Sequence, residues 1–295
     1  MLDPSTLNVL IRGAGGMASG IAVRLLRAGI GRICLLEQPR PRAVQRLASF
    51  SDAVYEGFAV VEGVTAALVS HPRELPSLWS AGCMGVLVDP AARFLQRMRP
   101  TVCIDATGDR NMVFSLADAP LVIGLRPLHQ PGVHAHAVIE TSGPRLGRVL
   151  YGASPVTHAS FESGDVNVST GYSVHAPRAG MFRTGRDIGE HVQAGERIGS
   201  LHPAGSSASR RTPMDDEGVH IVKAPVSGTL RGILRDYTPV DEYNRLARID
   251  PRPGVSCHQV SDRVLAVGGG VLEAVMHALH PKAQPRGGML IGKTR

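Results

Sequence analysis

The chain is poor in the residues that tie small or secreted folds together. It has 4 cysteines in 295 residues, Cys34, Cys83, Cys103 and Cys257, and none of them is in CxxC spacing. A disulfide framework or a thiolate metal site is therefore excluded as the organising device. Three of the four sit beside apolar runs, where a free buried thiol is expected. Aromatic residues make up only 4%, so the core must be small and aliphatic, and a stacking platform for single-stranded nucleic acid is missing. Lysine is confined to Lys223, Lys282 and Lys293, so the formal charge of +7 rests on arginine. Only Arg210-Arg211 approaches a basic run. This pattern predicts a basic solvated surface that attracts acidic partners or phosphates rather than a nucleic-acid stripe. No apolar run nears the ~20 residues of a membrane helix. Met1 to Leu7 has neither the basic nor the apolar region of a secretory leader. The expectation is a soluble, cytoplasmic protein with no nucleic-acid or membrane partner and with self-association left open.

What is present begins with Val9-Leu10-Ile11-Arg12, a short apolar run that leads into Gly13-Ala14-Gly15-Gly16-Met17-Ala18. Apolar residues then recur at Ala18, Ile21, Ala22, Leu25 and Leu26, the rhythm of one buried helix face. Gly29 stands where that helix should end, and Ile33 to Leu36 form a second run that closes on Glu37. Strand, glycine turn, helix, strand and acid form the first half of a dinucleotide-binding unit. Gly13 permits a tight turn, Gly15 lets backbone approach a pyrophosphate, and Ala18 is small enough for helix–strand packing. The amides of Gly16 and Met17 would face the phosphates. Glu37 is placed to accept hydrogen bonds from an adenosine ribose, which favours NAD, while Arg40 and Arg42 nearby pull toward a 2′-phosphate. The alternative is a purely structural glycine turn.

Strand and helix patterns then alternate, with strands at Phe58–Val61, Val64–Val69, Val86–Asp89, Val102–Asp105 and Leu121–Ile123, which predicts a mainly parallel sheet with helices on both faces. Asp105 ends its strand, where ligands of open α/β sheets bind. That makes Asp105, Arg110 and Asn111 candidate site residues, unless Asp105 merely caps a turn. His134 and His136 stand two apart on a run, His134 to Thr141, that reads as a strand; both would then point to one face. No third ligand is identifiable, so no metal is expected. Asp105 and His136 are the acid–base candidates for any catalysis.

Residues 152–171 read as a linker rich in serine, threonine and glycine. An internal repeat follows. Ala176-Pro177 with Gly180 matches Ala224-Pro225 with Gly228, and the same offset pairs Val192 with Val240 and Leu201 with Ile249. Tyr243 stands where the first copy has Gly195. The repeat predicts a barrel-sandwich hybrid, the fold of lipoyl and biotinyl carriers, but the turn at 202–220 lacks a carrier lysine. That turn reads as mobile over 202–217. Val264 to Val267 reads as a strand running into Gly268-Gly269-Gly270 and a helix, which would make a second anion-binding helix N-terminus; a close backbone approach to the sheet is the alternative. The expected organisation is an α/β Rossmann-like domain over 1–150, an inserted all-β hybrid over 172–250, and a returning strand–glycine–helix element over 257–280, with a frayed tail from Lys282.

Several ordered segments together resemble one family. They include Ile11-Arg12-Gly13-Ala14-Gly15, Ile104-Asp105-Ala106 with Arg110-Asn111, Pro120 to Leu125, His136 to Thr141, Ile249-Asp250-Pro251-Arg252 and Ala266 to Ala274. The chain is similar to the YqeB-type family, described as selenium-dependent molybdenum hydroxylase accessory proteins. The resemblance implies a nucleotide domain and a role in maturing molybdenum hydroxylases, with a hydroxylase or a cofactor-maturation protein as partner. The family's turn continues glycine-aspartate-leucine, where this chain has Gly15-Gly16-Met17. The first expectation is thus an accessory protein that binds NAD, another dinucleotide or molybdopterin dinucleotide. An NAD-dependent oxidoreductase and a non-catalytic binding module are the alternatives.

Overall fold

A computed structural model of the chain describes residues 4–125, 127–152, 171–203 and 218–280. The first part is built from β1 (Asn8–Arg12), α1 (Gly16–Arg27), β2 (Arg32–Glu37), α2 (Ala53–Glu56), β3 (Phe58–Val61), β4 (Val64–Val69), α3 (Leu75–Ser80), β5 (Met84–Val88), α4 (Leu95–Met98), β6 (Val102–Asp105), β7 (Leu121–Leu125), β8 (Ala137–Ile139) and β9 (Val149–Tyr151). A 3-10 turn at Arg46–Ala48 and another at Phe50–Asp52 bridge β2 and α2. These strands form one nine-stranded sheet in the order β3-β4-β5-β2-β1-β6-β7-β8-β9.

Strand parity sorts the core. Val9, Ile11, Ile33 and Leu35 face α1 and the C-terminal helix α5 (Asp262–Leu279). Leu10, Cys34, Leu36 and Cys103 face the opposite layer, which holds Leu75, Met98 and Phe114. Each fully buried leucine or isoleucine contributes roughly 1.5–3 kcal/mol. Cys34 and Cys103 are buried here, and burial pushes both thiols up, Cys103 to about 12.

The second part is all β: β10 (Tyr172–His175), β11 (Gly180–Arg183), β12 (His191–Val192), β13 (Arg197–His202), β14 (His220–Lys223), β15 (Gly228–Ile233), β16 (Thr238–Val240) and β17 (Arg245–Asp250). They form two four-stranded antiparallel sheets, β10-β17-β15-β12 and β14-β13-β11-β16. Exchanging each strand for its counterpart in the other repeat copy turns one order into the other. Phe182, Leu201, Leu230, Leu246 and Ile249 fill the core between them.

This architecture corrects the expected fold class. The large sheet is mixed: its central pairings are parallel, but both edge strands run antiparallel to their neighbours. β3 runs antiparallel to β4, and β9 runs antiparallel to β8. The signal for the first reversal is in the sequence: only Glu62-Gly63 separates the two strands, and both residues have positive φ, 48° and 80°. That is the geometry of a tight hairpin turn. The expected carrier-type hybrid is likewise replaced by two distinct antiparallel sheets. An Ala-Pro…Gly repeat marks strand entries but does not dictate how the sheets close.

The glycine triplet requires a second correction. Gly268, Gly269 and Gly270 lie inside α5 rather than after a strand, so they offer no helix N-terminus. They serve packing. A Cβ on Gly270 would fall 2.2 Å from the Gly147 carbonyl oxygen, and one on Gly20 would fall 2.2 Å from Val264 Cγ1. The short helix expected over Ala43–Phe50 is instead the two 3-10 turns. Most of the expected linker, residues 153–170, lies outside the described residues, as do 204–217 and the tail from 281.

Candidate functional site

The strand order reverses between β1 and β6. β1 leads through α1 to β2 on one side, while β6 is reached by a crossover from β5 and pairs with β1 on the other. Ligands of open α/β sheets bind outside the carboxyl ends of strands at such a point. Arg12 and Asp105 end the two strands and are direct partners in the register.

Their side chains form a buried charged knot. Arg12 Nη1 donates to Asp105 Oδ2 at 3.0 Å and to Thr107 Oγ1 at 3.0 Å, and Nη2 donates to Asp109 Oδ2 at 2.7 Å. Thr107 donates its hydroxyl to Asp105 Oδ1 at 2.7 Å. Arg12 and Asp105 are 5% and 2% exposed. His129 completes the knot: its Nδ1 meets the Leu125 carbonyl at 3.0 Å and its Nε2 lies 3.7 Å from Asp105 Oδ2. A carbonyl only accepts, so Nδ1 carries a proton and Nε2 faces the carboxylate. Gly124 makes room for this ring, since a Cβ there would fall 2.2 Å from His129 Cγ. Burial alone would raise the Asp105 carboxyl, but His129, Thr107 and Arg12 outweigh it and hold it below the usual carboxylate range.

The glycine turn lies directly above. Gly13 has φ +97° and donates its N–H to the Leu36 carbonyl at 2.7 Å. Gly15 has no atom within 4 Å of where a Cβ would stand, so backbone is open to a ligand there. The first intrahelical bond runs from the Ser19 amide to the Gly15 carbonyl, so the amides of Gly16, Met17 and Ala18 precede the helical ladder. Behind the turn, the Ala14 carbonyl accepts from Ser19 Oγ at 2.8 Å, from Ser49 Oγ at 2.9 Å and from the Ser51 amide at 2.9 Å. The turn is thus held rigidly against residues 49–51.

Glu37 ends β2 beside this turn, as expected. It accepts the Ala14 amide at 3.0 Å on Oε2 and the Gln38 amide at 2.7 Å on Oε1. Burial pushes its carboxyl up, and these two amides oppose the shift. Each oxygen keeps a second lone-pair direction for a ribose hydroxyl. Arg110 and Asn111 are exposed on the loop after β6, and the Asn111 amide donates to Asp109 Oδ1 at 3.0 Å.

His136 does not join the group. It precedes β8, at the end of the sheet opposite Asp105, and its Nδ1 accepts the Val122 amide at 2.9 Å. Of the two acid–base candidates, Asp105 lies in the group and His136 does not; the histidine beside Asp105 is His129. The sequence reading also missed Arg12, Thr107 and Asp109; the available signal was a charged residue ending each of two buried, adjacent strands. Among the described residues no group of three or more His, Cys, Asp or Glu side chains is placed to hold a metal ion. A separate pocket of about 250 Å³ lies farther along α1, between Val23, Arg24, Arg27 and Leu265 and Leu272 of α5. No helix among the described residues is long and apolar enough to cross a membrane.

The chain is 35% identical over 275 residues to the uncharacterized protein YqeB of Escherichia coli K12, an alignment that covers 92% of the chain. Over that span the chain belongs to the YqeB family. It covers 48% of that relative, about half its length. No protein-family model matches the chain. Solved structures similar to it include an aspartoacylase family protein from Mesorhizobium loti, 13% identical, covering 78% of this chain and 60% of that one at a TM-score of 0.24. Another is a succinylglutamate desuccinylase/aspartoacylase from Rhodobacter sphaeroides, 12% identical, covering 82% and 85% at a TM-score of 0.25. Likenesses at this level carry no argument about the activity of this chain.

Proposed function

We propose that the chain binds the phosphates of a nucleotide in the crevice above β1 and β6 and acts as an accessory protein in molybdenum hydroxylase maturation. The observation that carries the binding is the open turn at Gly15, with the amides of Gly16, Met17 and Ala18 ahead of the helical ladder at the reversal of strand order. Gly13, Gly15, Gly16, Met17 and Ala18 would cradle the phosphates, and Glu37 would take a ribose hydroxyl. Arg110 and Asn111 stand exposed at the same rim. NAD, another dinucleotide and molybdopterin dinucleotide share this pyrophosphate chemistry. The charged knot below fixes the floor; Arg12 is spent on Asp105, Thr107 and Asp109 and is not offered to the ligand. The accessory role rests on the family resemblance, with a molybdenum hydroxylase or a cofactor-maturation protein as the partner.

Native mass spectrometry of the purified chain, followed by titration with NAD and with molybdopterin dinucleotide, tests the binding. A stoichiometric nucleotide is expected, along with at least about a tenfold loss of affinity in Gly15→Asp, whose carboxylate would oppose the phosphates in space that is sterically free. Absence of nucleotide affinity, or affinity indifferent to that substitution, overturns the reading. Normal hydroxylase activity in a strain lacking the protein would remove the accessory role while leaving the binding intact.

A further inference from the structure

β3 closes one end of the nine-stranded sheet and pairs only with β4. Its sequence is Phe58-Ala59-Val60-Val61. Val61 is buried, and Ala59 packs against the core that holds α1 and α5, so the alternation of the strand turns Phe58 and Val60 to the opposite face. There they are 58% and 49% exposed. The backbone alternates in the same way. The Leu68 amide donates to the Gly57 carbonyl at 2.7 Å, so these two residues form a hydrogen-bonded pair. Ala59 with Ala66 and Val61 with Val64 are then the next such pairs, while Phe58 faces Ala67 and Val60 faces Thr65 in non-hydrogen-bonded pairs. The N–H and C=O groups of Phe58 and Val60 therefore point away from β4, and among the described residues no partner meets them.

Folded proteins guard an open edge with lysine, proline, a bulge or a covering element. β3 has neither residue and no break in its register. The other end of the sheet differs: Arg148 precedes β9, and the Tyr151 ring lies 4.6 Å from that of His277 on α5. Charge says what suits the β3 edge. The chain carries +7, so two copies repel wherever arginine is exposed. β3 itself is uncharged, and the acids at its two ends are matched within their own chain. Glu56 accepts from Arg235 Nη2 at 2.8 Å, and Glu62 accepts from Arg27 Nη1 at 2.8 Å. A second copy can approach here without meeting unmatched like charge.

We propose that β3 is a dimerisation edge, which pairs antiparallel with β3 of a second copy of the chain about a two-fold axis between the two Ala59 residues. In that register Phe58 of each copy stands opposite Val60 of the other. Each of these pairs exchanges two backbone hydrogen bonds, about four in all. Each also sets an aromatic ring beside a β-branched side chain on the same face, a favourable cross-strand combination. The pairing occupies the edge of both copies, so it closes at two chains.

Sedimentation velocity of the full chain over a concentration series tests this, together with hydrogen exchange at low and high concentration. A reversible monomer–dimer equilibrium is expected. The Phe58 and Val60 amides should gain protection as the dimer forms, while the Ala59 and Val61 amides, already bonded to β4, should not change. Val60→Lys puts a charge on the edge, and Val60→Pro removes an outward N–H while sparing the ladder to β4. Each should weaken dimerisation at least about tenfold, and Val60→Thr should preserve it. If Val60→Pro does not fold, Val60→Lys, at an exposed position, carries the test. A chain that stays monomeric at every concentration overturns the proposal. So does a dimer indifferent to Val60→Lys, or one whose Phe58 and Val60 amides exchange at the same rate at both concentrations.

Discussion

Asp105 and Glu37 are carboxyls at neighbouring strand ends with opposite electrostatic histories. Asp105 is held below the usual range, so its ionised form stabilises the fold. That contribution is complete above the ordinary aspartate pKa and is lost as pH falls through the depressed folded value. Glu37 is pushed up, so its ionisation costs stability, and the cost appears as pH rises through the ordinary glutamate range toward the raised value. Urea midpoints measured against pH should show both slopes. Asp105→Asn should remove the first and leave Arg12 short of its buried partner, at a cost of about 3 kcal/mol. An unchanged midpoint would mean that Asp109 alone satisfies Arg12. This scale was only partly legible in the sequence. Glu37 and Asp105 stand out because each ends an apolar run. His129 does not, because it reaches Asp105 from a loop rich in proline and glycine whose path no periodicity describes.

At the scale of elements, local pattern read well wherever one face of an element is buried and the other is not. Ala18, Ile21, Ala22 and Leu25 are buried along α1, at the positions their spacing implies. The pattern failed at α5, because Val264 to Val267 reads as a strand when followed by three glycines. In the folded chain Gly270 lets α5 lie against the Gly147 turn, and Gly20 on α1 lets the two helices approach closely. Gly270→Ala should therefore lower stability by roughly 1–3 kcal/mol in thermal or urea unfolding, although alanine is the better helix former. The repeat supplies the converse case. Gly195 and Tyr243 hold equivalent turns, with φ +82° and +64°, and donate their amides to Ala224 and Ala176, each at 2.8 Å. Tyr243 is 76% exposed and gains little from burial in return for its left-handed backbone. Tyr243→Gly should raise stability by about 0.5–1 kcal/mol in the same assay.

Across the whole molecule, residues 42–56 join the glycine turn to the pair of four-stranded sheets. Val44 is buried in the second core, Arg46 Nε donates to the Ile233 carbonyl at 3.1 Å, and Arg235 donates to Asp52 at 3.0 Å and Glu56 at 2.8 Å. The same stretch supplies Ser49 and Ser51 to the Ala14 carbonyl. Val44→Asp, which puts a charge into an apolar core, should loosen this stretch. Hydrogen exchange at the Phe50 and Ser51 amides should then quicken, and nucleotide affinity at the turn should fall with it. Faster exchange without loss of affinity would show that the turn holds its shape unaided. None of this link is visible in the sequence, where Val44 stands between Ala43 and Gln45 with Arg42 and Arg46 on either side.

The three donors gathered on the Ala14 carbonyl have one more consequence. A carbonyl polarised this strongly withdraws electron density from its own peptide unit and leaves the Gly15 amide more acidic than its neighbours. In a nitrogen–proton correlation spectrum that amide should resonate well downfield of an ordinary glycine. It would be a single resolved signal in the middle of the turn, sensitive to Ser49→Ala and to any phosphate that settles beside it.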